Sequence, residues 1–185
     1  MKNKLFLVLL ITIALIQLSV TGLAKLETIM VGNHTISMNI PNFPQYYISS
    51  TVLGNEEAIE IKFNESLLKT MFLEASRIQI SIYNAGEGRI FPSNITDLKN
   101  DKINWGENNY PGAYSIYMKN LAGNPGLVLE HPYSSTYNNW LVLEAHSFMD
   151  FDSAKDAHSK LYIYSTYDRI ITGAIMDSMI IKKIK

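Results

Sequence analysis

Residues 28–40, TIMVGNHTISMNI, alternate apolar and polar side chains on both sides of a Gly-Asn pair, with Ile29 and Val31 before it and Ile36, Met38 and Ile40 after it. A period of two sends successive side chains to opposite faces of a strand. A Gly-Asn step between two such rows marks a hairpin with a tight turn at Gly32-Asn33. A chain that opens this way builds on antiparallel strands.

Working downstream, Pro41 and Pro44 end the second strand, and Tyr46, Tyr47 and Ile48 restart an extended segment. Ala58 to Phe63 alternates again, with Ile59, Ile61 and Phe63 on one face and Glu60 and Lys62 on the other. Ile78, Ile80 and Ile82 alternate with Gln79, Ser81 and Tyr83 in a further strand. Between these, Leu67, Leu68, Met71, Phe72 and Ala75 fall at helical spacing and predict a short amphipathic helix over residues 65–75.

Residues 92–112 hold Asn, Asp, Gly and Pro at loop density and read as the longest irregular segment. Tyr114 to Met118 and Leu127 to Glu130 read as strands around the turn signal Gly123-Asn124-Pro125-Gly126, followed by a polar loop at 132–139. Trp140 to Phe148 gives the strongest strand, with Leu141, Leu143, Ala145 and Ser147 facing one way and Val142, Glu144, His146 and Phe148 the other. Leu161 to Tyr164 adds a strand. Ser165 or Thr166 then caps a helix carrying Asp168 in its first turn, an apolar stripe of Ile170, Ile171, Ala174, Ile175 and Met179, and Lys182, Lys183 and Lys185 at its negative end.

Upstream of the hairpin, Lys2 and Lys4 precede an apolar run from Leu5 to Leu18 and the small-residue step Gly22-Leu23-Ala24. This order is that of a secretory signal peptide over residues 1–24. Retained, the same run is a membrane anchor, because with its flanks it approaches the roughly 20 apolar residues that span a bilayer. The expected product is a secreted or cell-surface, extracytoplasmic domain over residues 25–185.

That part carries 14 basic and 17 acidic residues, and the basic ones are dispersed. Nucleic acid is therefore a poor partner, and a membrane enters only through the N-terminal segment if it stays uncleaved. The chain has no cysteine, which removes thiol nucleophiles, zinc–thiolate sites and iron–sulfur clusters. No cofactor motif stands out: Gly86-Glu87-Gly88 has Phe91 where a phosphate-binding loop needs its third glycine, and no Gly-x-Ser-x-Gly occurs.

The element pattern predicts a single α+β domain, an antiparallel sheet with helices packed on one face. A hairpin running into the Ile40-Pro41 step, a meander, and a closing strand followed by a helix over residues 168–179 together resemble the Mog1/PsbP-like fold of small α+β domains. The resemblance covers most of residues 25–185 and implies a binding or assembly factor. It carries no functional residue over.

Three groups of residues are candidates for function. Trp105, Tyr110, Tyr114, Tyr133, Tyr137 and Trp140 lie in or beside the two Asn-rich polar segments, and flat aromatic faces beside amides and hydroxyls suit sugar rings, peptides or a protein partner. Glu144 and His146 project from one strand face with Asp150 and Asp152 close behind, a donor set suited to a divalent cation or to exported hydrolase chemistry. Asn33, Asn64 and Asn94 open N-glycosylation sequons, although sixteen asparagines among frequent Ser and Thr give about two by chance, so three is no enrichment. The reading that follows is non-catalytic recognition of a protein or glycan at the cell surface. The alternatives are a hydrolase or metal-dependent protein built on Glu144 and His146, and a structural cell-envelope component.

Overall fold

The computed structural model describes residues 24–41, 45–54, 56–63, 77–83, 94–132, 141–149, 159–167 and 169–184. Within them run β1 (Ala24–Val31), β2 (His34–Pro41), β3 (Tyr46–Leu53), β4 (Glu56–Phe63), β5 (Ile78–Tyr83), α1 (Ile95–Asn109), β6 (Ser115–Leu121), β7 (Asn124–Pro132), β8 (Leu141–Met149), β9 (Ser159–Ser165), α2 (Arg169–Ser178) and β10 (Ile180–Lys183). β1, β2 and β10 form one sheet in the order β1-β2-β10. The other seven strands form a second in the order β3-β4-β5-β9-β8-β7-β6. Every pairing is antiparallel.

The opening hairpin forms as its sequence dictates. β1 and β2 pair from Ala24↔Pro41 to Val31↔His34, leaving Gly32 and Asn33 as the two-residue turn. Gly32 has φ +53°, a left-handed conformation that costs glycine nothing. A second tight turn joins β6 to β7 at Ala122-Gly123, with φ values of 51° and 89°. It takes in only the first glycine of the Gly-Asn-Pro-Gly signal, whose Asn124 and Pro125 become the first residues of β7, a strand position that tolerates proline.

The architecture is β-rich, and this overturns the expected α+β fold with helices on one face of a sheet. The isoleucine rows of β4 and β5 share a hydrophobic core with Ala145, Leu161 and Ile163 of the long sheet, Ile36, Met38 and Ile40 of the small sheet, and Ile175, Met176 and Met179 on and just after α2. A second sheet, with α2 beside it, thus covers the inner face where only helices were expected. α1 lies on the opposite, outer face against β6 and β7. The two helices therefore sit on different faces. Local periodicity marked most of the strands, but it carries no signal for which strands share a sheet, since that is fixed by contacts distant in sequence.

Two further readings change. Residues 95–109 are helical rather than loop: Asn94 Oδ1 accepts from the backbone N–H of Thr96 at 3.0 Å and Asp97 at 2.9 Å, so the helix has a side-chain cap despite its polar composition. Ile180 to Lys183 does not extend the last helix but pairs with β2 from Ser37 back to His34, placing Lys182 and Lys183 in a strand. The helix expected over residues 65–75 lies outside the described residues. α2 forms close to its expected place and is tied to the sheet by the buried 2.7 Å hydrogen bond between the Ser165 and Thr172 hydroxyls.

Candidate functional site

Alternation along β7, β8 and β9 puts Leu127, Leu129 and His131, Glu144 and His146, and Tyr162 and Tyr164 on the outer face, with Leu127 opposite His146 and Glu144 opposite Tyr164. α1 lies over part of this face, presenting Leu98, Lys102 and Trp105 at helical spacing. Leu98 is buried, and Lys102 and Trp105 are half-buried. Gly106 lets the ring of Tyr114 lie against the helix, since a Cβ there would come within 2.7 Å of that ring.

Glu144 is the centre of the site. Its Oε2 accepts from Lys102 Nζ at 2.8 Å. His146 Nε2 stands 3.4 Å from the same oxygen and His131 Nε2 stands 3.9 Å from Oε1. His131 Nδ1 donates to the Pro132 carbonyl at 2.7 Å, which fixes the ring. Among the described residues neither Nε2 makes a hydrogen bond of good geometry and His146 Nδ1 has no partner, so two buried imidazoles hold open polar atoms beside a carboxylate. Buried polar groups are ordinarily satisfied, which sets these atoms apart from background.

The charges follow from the surroundings. Burial pushes the Glu144 carboxyl up, but His131, His146 and the Lys102 ammonium together outweigh it and hold it well below the usual carboxylate range. Burial pushes His146 down to about 4, reinforced by Lys102 and Lys160 and opposed by Glu144. At neutral pH the site is an ionised carboxylate, a neutral His146 and a bonded ammonium. Lys160 is itself lowered by burial and by Lys102, and Tyr162 is raised by burial and the Glu144 charge.

Two sequence candidates that looked separate meet here. The Trp105 ring lies edge-on to His131 at 5.0 Å between centroids, Tyr110 stacks on His131 at 4.7 Å, and the Lys102 ammonium sits 5.4 Å from the Trp105 ring. Tyr114 stands slightly apart, its hydroxyl donating to Glu107 at 2.7 Å. Tyr133, Tyr137 and Trp140 lie outside the described residues, as do Asp150 and Asp152. Among the described residues no three His, Asp or Glu side chains gather in a geometry fit for a metal ion. The two imidazoles approach different oxygens of one carboxylate, and the ammonium holds one of those oxygens.

Lys102 and His131 were missed by sequence reasoning. The signal for Lys102 was present, because Asn94 with Asp97 three residues later is a helix-start pattern, and accepting it puts Leu98, Lys102 and Trp105 on one face. No local signal marks His131, which reaches Glu144 only through strand register. Of the sequon residues, Asn33 is exposed in the first turn and Asn94 is exposed as the α1 cap, while Asn64 lies outside the described residues. Among the described residues no helix is long and apolar enough to cross a membrane. No protein-family model matches this chain, and no curated protein matches it significantly.

Proposed function

We propose that this protein is an extracytoplasmic, non-catalytic recognition domain that presents the α1 face of the long sheet to a protein or glycan partner. One observation carries the reading: Trp105 and Tyr110 are fixed on the buried His131 yet stay half-exposed beside Lys102. Aromatic rings immobilised before binding lose little entropy when a partner arrives, and the neighbouring charged and amide groups supply directional bonds.

The chemistry of the cluster supports recognition over hydrolysis. A histidine pushed down to about 4 is a poor general base near neutral pH, because catalytic efficiency requires a value close to the working pH. Among the described residues no hydroxyl bonds to either imidazole, so no activated nucleophile is assembled there.

The test uses the two tryptophans of the chain. With Trp140→Phe in place, emission reports Trp105 alone, and it is titrated with a panel of neutral and acidic oligosaccharides and extended peptides. A saturable emission shift with one class of ligand, lost in Tyr110→Ala while the melting temperature stays within a few degrees, is the expected result. No shift across the panel, or a shift that survives Tyr110→Ala, overturns the reading.

A further inference from the structure

Among the described residues the two sheets have four edges, and three are guarded. β6 is flanked by α1 and α2 and carries Lys119, β10 is four residues long with Lys182 and Lys183, and β1 carries Lys25 and Glu27. Charge, shortness and helix cover are the ordinary means by which a sheet edge is kept from pairing with another chain. β3 carries none of them itself: β1 packs against its start, where the Tyr46 hydroxyl donates to Glu27 at 2.8 Å, and nothing charged lies on the strand from Tyr47 to Leu53. Its eight residues, Tyr46–Leu53, contain no charge and no proline, and they pair with β4 residue for residue without a bulge. Among the described residues no strand pairs with its outer edge. Tyr47 is 61% exposed, Val52 53% and Leu53 70%.

The order of side chains along this edge names its partner. From Tyr47 to Leu53 the strand reads two apolar residues, three hydroxyl residues, then two apolar residues, so its chemistry is the same in both directions about Ser50. We infer that β3 pairs antiparallel with β3 of a second copy of this chain across a two-fold axis at Ser50. In that register Tyr47 meets Leu53, Ile48 meets Val52, and Ser49 meets Thr51, with each pair on one face. Aromatic–aliphatic and hydroxyl–hydroxyl pairs directly opposite each other are the favourable cross-strand combinations. No like charges are brought together on the strand. The contact is isologous, so it closes at two copies and joins the two long sheets into one. Edge pairing alone lies at the small end of stable interfaces, so dissociation on the order of micromolar is expected. This inference stands independently of the α1 face, and dimerisation would double whatever that face binds.

The experiment follows mass by light scattering across a wide concentration range, using the full chain in mild detergent so that the N-terminal segment cannot associate in its own right. The mass is expected to rise from one chain to two and stop. Ser50→Lys places two ammonium groups opposite each other at the axis and is expected to hold the protein at one chain, with unchanged circular dichroism and melting temperature. Because the chain has no cysteine, Ser50→Cys supplies a second readout: identical residues across an antiparallel pair lie within disulfide reach, so mild oxidation is expected to link it, whereas Ser115→Cys on the opposite edge stays unlinked. A mass fixed at one chain, growth beyond two chains, association unaffected by Ser50→Lys, or equal cross-linking at both positions would each overturn the inference.

Discussion

His34 and Glu57 meet at 2.6 Å between the two sheets, Nδ1 to Oε2, with side-chain exposures of 0% and 4%. His34 begins β2 in the small sheet and Glu57 lies in β4 of the long one, so this is a polar clasp inside an apolar interface. The turn makes room for it: a Cβ on Gly32 would lie 2.3 Å from Glu57 Cδ. Removing one side chain of a buried hydrogen-bonded pair takes that bond from the other, whereas replacing both with apolar groups is often neutral. His34→Ala or Glu57→Ala should therefore lower the unfolding free energy by about 1–3 kcal/mol, and the double change to leucine should recover most of it. Urea denaturation measures this, and single-variant losses below about 1 kcal/mol would show that the clasp does not hold the sheets together.

His146 makes stability depend on pH. Its value is about 4 in the folded protein against an ordinary 6.5, so as pH falls the unfolded chain takes up the proton first. Stability is then complete above about pH 6.5 and declines down to about pH 4, a loss of about 3 kcal/mol from this group. His146→Gln is expected to flatten that part of the pH curve. Parallel curves for wild type and variant between pH 7 and pH 4 would place the proton linkage elsewhere.

Lys102 and Glu144 join α1 to the sheet at 2.8 Å, and Lys102 is the ammonium bonded to a carboxylate that is 14% exposed. Lys102→Met keeps the aliphatic stem but leaves the carboxylate without its charge partner, at an expected cost of about 1–3 kcal/mol. Glu144→Gln combined with Lys102→Met should cost less than the sum of the separate changes, because the pair is coupled. Additive losses would show that the two side chains act independently.

Asn94 offers a separation of roles. As the cap of α1 it accepts from two backbone N–H groups, and its own Nδ2 donates to Asp97 at 2.8 Å. Asn94→Ala should cost about 1 kcal/mol, while Asn94→Asp should retain most of the cap and still abolish the sequon. Equal destabilisation by both substitutions, read by thermal melting of protein made without glycans, would remove the capping role.

Tyr117 and Arg169 converge on Glu130, which is 2% exposed. The tyrosine hydroxyl donates at 2.9 Å, and the guanidinium contacts Oε2. Burial, then the bond to Glu130, pushes the Tyr117 hydroxyl up to about 12. The difference between the spectrophotometric titrations of wild type and Tyr117→Phe should isolate a late phenolate transition, and that transition should move toward the ordinary value of 10 in Glu130→Gln. An unchanged titration in that variant would contradict the assignment.

The sequence by itself determined most of the strands, because a two-residue period is a local property and burial on one face enforces it. Ile29 to Ile40, Ile59 to Phe63, Ile78 to Ile82 and Leu141 to Phe148 form where their alternation places them, and Gly32-Asn33 turns the first hairpin. It also determined that Glu144 and His146 share a face. Where composition spoke against periodicity, composition misled: the Asn- and Asp-rich stretch after Asn94 is a helix because its cap and the docking of Leu98 and Trp105 outweigh weak propensity. Only the tertiary structure decided that the core closes between two sheets, that the helices lie on opposite faces, and that His131, Lys102 and Trp105 surround Glu144. Those relationships join residues tens of positions apart, and nothing local encodes them. They are set by register and by the burial of apolar faces against one another, which a chain establishes only on folding.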